Sequence, residues 1–177
     1  MIIGGKMKGG MMMPKIILIF ASMSGNTEEM ADAIAKGVRE AEGNLTVMDV
    51  MDAYAADLTD YDGILLGAYT WGDGELPNEF LDFYDEMEEL NLSGKKAAVF
   101  GSCDSSYPEV GKAVDILIDR LRELGGDIVQ DGLKVELTPS ASDKQLCREF
   151  GRTFANSVVN GALQTGNLSG AVPFGNH

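Results

Sequence analysis

Five short aliphatic runs recur along the chain: 15–21 (KIILIFA), 45–50 (LTVMDV), 62–68 (DGILLGA), 96–102 (KAAVFGS) and 128–138 (IVQDGLKVELT). Between them the apolar residues switch to helical spacing. Met30, Ala31, Ile34, Ala35 and Val38 share one face of a first helix, with Glu28, Glu29, Asp32, Lys36 and Arg39 opposite. Phe80, Tyr84 and Met87 mark a second, and Ala113, Val114, Leu117, Ile118, Leu121 and Leu124 a third. Leu146, Phe150, Phe154 and Val158 mark a last one. Residues 53–60 read as no more than one helical turn. Strands that alternate with helices connect by crossovers and lie parallel, and nearly continuous apolar strands are buried on both faces. The pattern predicts an α/β fold, a doubly wound five-stranded parallel sheet with helices on both faces.

Charge and sparse chemistry narrow the function. Asp and Glu number 28 against 14 Lys and Arg, for a net charge of −14. A nucleic-acid partner is excluded, because phosphate binding needs a basic stripe. The longest apolar run, 16–21, is far short of the roughly 20 residues of a membrane helix, so no membrane partner is expected. The two cysteines, Cys103 and Cys147, do not make a disulfide framework, and the cytoplasm is the expected compartment. The one histidine, His177, is the last residue, which removes histidine triads and histidine-ligated metals; no metal site is expected.

All the acids fall between Glu28 and Glu149, so the ends are different material. Residues 1–14 read as a disordered leader or misassigned start, with Met11, Met12 or Met13 as the native beginning. Residues 15–159 form the domain. Residues 160–177, rich in Gly, Asn and Ser and without charge, read as a flexible tail.

Ligands of open α/β sheets bind outside the carboxyl ends of the strands, and three loops there are unusual. Ser22-Met23-Ser24-Gly25-Asn26-Thr27 joins hydroxyls, a permissive glycine and the free amides of a helix start into a neutral phosphate cradle. It lacks the lysine of a Walker loop, which disfavours triphosphate hydrolysis. By themselves these residues also suit a simple helix cap. Tyr69-Thr70-Trp71-Gly72-Asp73-Gly74 places the one tryptophan in a turn, and Ser102-Cys103-Asp104-Ser105-Ser106-Tyr107 ends on an aromatic ring. Each ring alone suits a lid over the core. Together the loops suit a phosphorylated planar heterocycle.

These loops, in order at the ends of the first, third and fourth strands, resemble those of the flavodoxins, small electron carriers that bind FMN; the resemblance covers about residues 15–159. Ser22, Met23, Ser24, Gly25, Asn26 and Thr27 are similar to the family's phosphate loop. Tyr69, Thr70, Trp71, Gly72, Asp73 and Gly74 resemble its inner flavin loop, and Ser102, Cys103, Asp104 and Tyr107 its outer one, with Tyr107 stacked on the exposed ring face. The resemblance also implies that the Glu109 carbonyl and Gly111 amide meet the pyrimidine edge, and that the Gly72-Asp73 peptide turns over on one-electron reduction. Cys103 stands where many relatives have glycine, which implies either a thiol near the flavin or, as the simpler reading, a small buried hydrophobe. Residues 128–138 lack the insertion of long-chain members, which implies a short-chain type.

The function implied is that of a low-potential one-electron carrier with non-covalent FMN and no catalytic residues. It would shuttle, as a monomer, between a basic-faced flavin- or NADPH-dependent reductase and redox acceptor proteins, each docked transiently. From Glu40 to Gly94 there are 15 acids and no Lys or Arg, and these are expected to surround the flavin edge. The alternative is an FMN-dependent NAD(P)H or quinone oxidoreductase of the same fold. A phosphoacceptor receiver domain is set aside, because Phe20-Ala21-Ser22 and Ala68-Tyr69-Thr70 lack its acids.

Overall fold

Ile16, Ile17, Leu18 and Ile19 have no exposed surface, which requires cover on both faces of the strand that carries them. The computed structural model, which describes residues 7–8 and 11–171, supplies that cover. In chain order the strands are β1 (Met7–Lys8), β2 (Met11–Met12), β3 (Lys15–Phe20), β4 (Asn44–Asp49), β5 (Gly63–Gly67), β6 (Lys96–Cys103), β7 (Asp127–Ile128) and β8 (Leu133–Glu136). The helices are α1 (Asn26–Glu40), α2 (Asn78–Glu86), α3 (Lys112–Glu123) and α4 (Ala141–Ala171), with 3-10 turns at Val50–Asp52, Ala55–Asp60 and Met87–Glu89.

The main sheet runs β4-β3-β5-β6, with β7 and then β8 both paired to β6, and every pairing is parallel. Alternation along β3 sends Ile17 and Ile19 to one side, with Phe80, Phe83, Leu117 and Leu121 of α2 and α3. Ile16, Leu18 and Phe20 go to the other, with Met30 and Ile34 of α1 and Phe154 and Val158 of α4. On that side α1 and α4 approach backbone to backbone. A Cβ on Gly37 would stand 1.9 Å from the Arg148 carbonyl oxygen, and one on Gly151 would stand 2.1 Å from that of Ile34. Glu40 closes the same pair through Arg148 (2.7 Å) and Arg152 (2.6 Å). These bonds, that of Arg152 foremost, hold the Glu40 carboxyl below its ordinary range.

The doubly wound parallel sheet is as expected, and four local expectations are corrected. The run 128–138 is not one strand: it breaks over 129–132. There Gln130 turns its amide to the Phe150 carbonyl (3.0 Å), and Gly132 lies where a Cβ would meet Val114 Cγ1 at 2.6 Å. Leu146 is exposed, because the buried face of α4 is Cys147, Phe154, Ala155 and Val158, with Gly151 in their row against Ile34. The helix α4 continues beyond 159 to Ala171, since an established helix propagates cheaply and the first proline after it is Pro173. Within 1–14, β1 and β2 pair antiparallel as Met7 with Met12 and Lys8 with Met11, so that stretch is not without structure. The remainder of both expected end segments, residues 1–6, 9–10 and 172–177, lies outside the described residues.

Candidate functional site

The carboxyl ends of β3, β5 and β6 open into a cleft of about 370 Å³. Its lining joins Met23, Ser24 and Asn26 to Tyr69, Thr70, Trp71 and Gly72, and then to Ser102, Cys103, Asp104, Tyr107, Glu109 and Gly111. Leu137 completes the wall. A separate cavity of about 410 Å³, between α3 and the interrupted β7–β8 edge, is lined by Asp115, Asp119, Arg122 and Gln130 and holds none of the three loops.

The first loop turns into α1 at Gly25, whose φ of 96° a side chain would resist, and the space where its Cβ would point is open for 4 Å. Ser22 Oγ accepts the Glu28 amide at 3.1 Å, so Ser22 caps the helix rather than lining the cleft. Thr27 lies behind the wall, its Oγ1 bonded to Ser102 Oγ at 2.7 Å, both buried. No described protein group accepts the Asn26 or Thr27 amide, so two donors of the helix start stay available. The lining holds no Lys or Arg. An anion here would be met by dipoles alone.

The second loop is a tight antiparallel turn in which Trp71 and Glu75 exchange backbone bonds of 2.7 and 2.8 Å. Gly72 (φ 53°) and Gly74 (φ 110°) allow it, while Asp73 and Gly74 stay off the cleft lining. Trp71 is 43% exposed. The Tyr69 hydroxyl donates to Glu79 at 3.0 Å, and burial, followed by that carboxylate, pushes its pKa up to about 12. Thr70 Oγ1 accepts the Ala113 amide at 3.1 Å, tying this loop to the start of α3.

In the third loop Asp104 accepts from the Ser106 amide (2.9 Å) and hydroxyl (2.7 Å), and the Ser106 hydroxyl leads in holding the carboxyl below its ordinary range. Tyr107 is 54% exposed. The Cys103 thiol donates to the Val135 carbonyl at 3.6 Å, and burial, then Glu136, pushes its pKa up. A neutral thiol is what such a place favours.

Sequence reasoning missed Leu137, and it misplaced part of the acid run. Leu137 follows β8, and the rule that sent attention to the ends of three strands applied equally to this fifth one. α2 starts at the strand carboxyl ends and runs away from them. Its later acids therefore lie toward the opposite end, where Leu92 bonds to Leu124 at the close of α3. Asp85, Glu86, Glu88 and Glu89 do not surround the cleft; Asp73, Glu75, Asp104, Glu109 and Glu136 stand at its end of the sheet. Among the described residues, no group of three His, Cys, Asp or Glu is placed to hold a metal.

A family model described as flavodoxin matches residues 18–151. The chain is 49% identical over 144 residues to "Probable flavodoxin 2" of Bacillus subtilis, spanning 81% of this chain and 95% of that one. It is 35% identical over 134 residues to a flavodoxin of Maridesulfovibrio salexigens, spanning 74% and 92%. The crystal structure of oxidised flavodoxin 1 from Bacillus cereus superimposes with a TM-score of 0.79 at 60% identity, over 80% of this chain and 97% of that one.

Proposed function

The chain belongs to the flavodoxin family, and from that premise we propose how its own residues carry the family's work of FMN-based electron transfer. One observation carries the assignment: a cleft with free helix-start amides, no cation and two half-exposed aromatic rings suits a phosphorylated flat heterocycle. The residues fit FMN. When bound, FMN supplies the one-electron chemistry, and the protein has no substrate to transform.

In this reading the Asn26 and Thr27 amides, with Ser24, take the phosphate, and Ser22 and Gly25 shape the turn that frees them. Trp71 and Tyr107 flank the ring, Gly72 and the 109–111 backbone approach its polar edges, and Cys103 offers a neutral thiol. Asp73, Glu75 and Glu109 make added negative charge on the ring costly, which keeps the potential low. These rim acids support transient docking of basic-faced reductases and acceptors at the cleft, with the chain as a monomer. Residues 15–159 are the proposed functional unit and the cytoplasm its compartment; among the described residues no helix is long and apolar enough to cross a membrane.

Calorimetry on the apoprotein tests the site. FMN binds at least about tenfold more tightly than riboflavin if the first loop holds the phosphate; equal affinities remove that role. The loaded protein shows no steady-state NAD(P)H oxidation, and turnover would favour the oxidoreductase reading instead.

A further inference from the structure

One five-residue segment ties the first and third loops of the cleft to the stretch that leads into α3, and it is the one that the motifs did not mark. β8 is an outer strand paired only with β6, from Phe100–Leu133 to Cys103–Glu136. Lys134 and Glu136, two apart, share its exposed face. Lys134 Nζ donates to the Val110 carbonyl (3.4 Å) and to Asp115 Oδ2 (3.2 Å), and its stem lies across Gly111, where a Cβ would meet Lys134 Cδ at 2.6 Å. Glu136 Oε2 accepts from both the amide of Ser105 (3.1 Å) and its hydroxyl. The Leu137 amide donates to the Cys103 carbonyl at 2.8 Å, and Thr138 Oγ1 donates to Asn26 Oδ1 at 3.2 Å. Leu137 does so at φ 58°, a conformation uncommon for a residue with a side chain, and it lines the cleft while 52% exposed.

We propose that residues 134–138 form a brace that sets the shape of the cleft, with Glu136 the positioning residue that holds the 104–107 loop and thus Tyr107. Exposed polar contacts of this kind add little to global stability. Their geometric effect is larger: Lys134 fixes one end of the 105–111 stretch and Glu136 the other. The rival account is that Glu136 acts through its charge, and the two differ in sign. A carboxylate at the rim repels an anionic ligand, so by charge alone its removal tightens FMN binding, and Gln and Ala behave alike. A brace weakens with Ala and survives with Gln, whose carbonyl still accepts from Ser105.

The inference rests on the FMN reading, and the experiment separates the two. Full-length apoproteins of wild type, Glu136→Ala and Glu136→Gln are compared by amide hydrogen exchange and by FMN titration. The brace predicts faster exchange over Ser105–Tyr107 in Glu136→Ala, about tenfold weaker FMN binding, an unchanged melting temperature, and near-wild-type values for Glu136→Gln. Unchanged exchange, or faster exchange with unchanged or tighter FMN binding, overturns it, as does equal loss in both variants. If wild type does not bind FMN, the functional reading fails, and the exchange arm alone still decides whether Glu136 holds the loop.

Discussion

Thr27 Oγ1 and Ser102 Oγ share a buried 2.7 Å hydrogen bond across 75 residues, fastening the first turn of α1 to the end of β6. The first and third loops of the site are therefore tied together at their bases. Thr27→Ala leaves the Ser102 hydroxyl buried without a partner and is expected to cost about 1–3 kcal/mol in urea unfolding of the apoprotein. Thr27→Ser retains most of the stability. Adding Ser102→Ala to Thr27→Ala recovers part of the loss; strictly additive losses would show that the two hydroxyls are not coupled.

The contact of α1 with α4 leaves no room for a methyl group. Gly37→Ala and Gly151→Ala each force a Cβ against a backbone oxygen and are expected to destabilise by more than about 3 kcal/mol. Gly94→Ala is the comparison: it has open space at φ 84°, so it pays only the conformational cost of about 1 kcal/mol. Similar midpoints for all three variants would contradict the close approach.

The two thiols differ in reach. Cys103 lines the cleft, whereas Cys147 is fully buried and burial pushes its pKa up to about 12. A thiol reagent should label one cysteine in the native apoprotein, lose that reaction in Cys103→Ala, and reach the second only on unfolding. Saturating FMN should slow the Cys103 reaction. Labelling unaffected by FMN would put the ligand elsewhere.

Folding holds the Tyr69 phenol in its neutral form, with its pKa raised from 10 to about 12 by burial and by Glu79. A pKa raised in the folded state contributes stability below the unfolded value and loses it as pH climbs through the folded one. Melting temperature should therefore fall between pH 10 and about 12 more steeply in wild type than in Tyr69→Phe. Parallel curves would show that Tyr69 carries no such linkage.

If rim acids steer basic partners, reduction by a basic-faced flavin reductase slows as salt rises, since screening acts over about 10 Å at 0.1 M. Asp73→Lys with Glu75→Lys should slow low-salt stopped-flow reduction more than Glu88→Lys with Glu89→Lys. Equal effects, or rates flat with salt, would leave the acids a solubilising surface.

The sheet and the three loops were legible because local chemistry announces them: unbroken aliphatic runs, a glycine where α1 begins, aromatic rings in turns. What stayed hidden depended on partners far along the chain. Glu136 looks like any exposed strand residue until β8 is laid beside β6, and Leu137 carries no mark of its positive φ. The break at 129–132 was masked by Ile128, Val129, Leu133 and Val135, whose hydrophobicity reads as one strand although Gln130 and Gly132 part it. Leu146 reads as core in the sequence because Gly151 contributes space rather than surface to the α4 face, and hydropathy cannot register space. The acids of α2 were misplaced because composition gives charge without direction.

The interruption between β7 and β8 also bears on self-association. A sheet's outer strand exposes unpaired backbone groups that can template a strand from another molecule. On this side the border is a two-residue piece and a four-residue piece separated by a step, the second carrying Lys134 and Glu136 on its exposed face. No continuous register longer than four residues is available there for a second copy to extend, so the protein can be concentrated without edge-to-edge growth along that border.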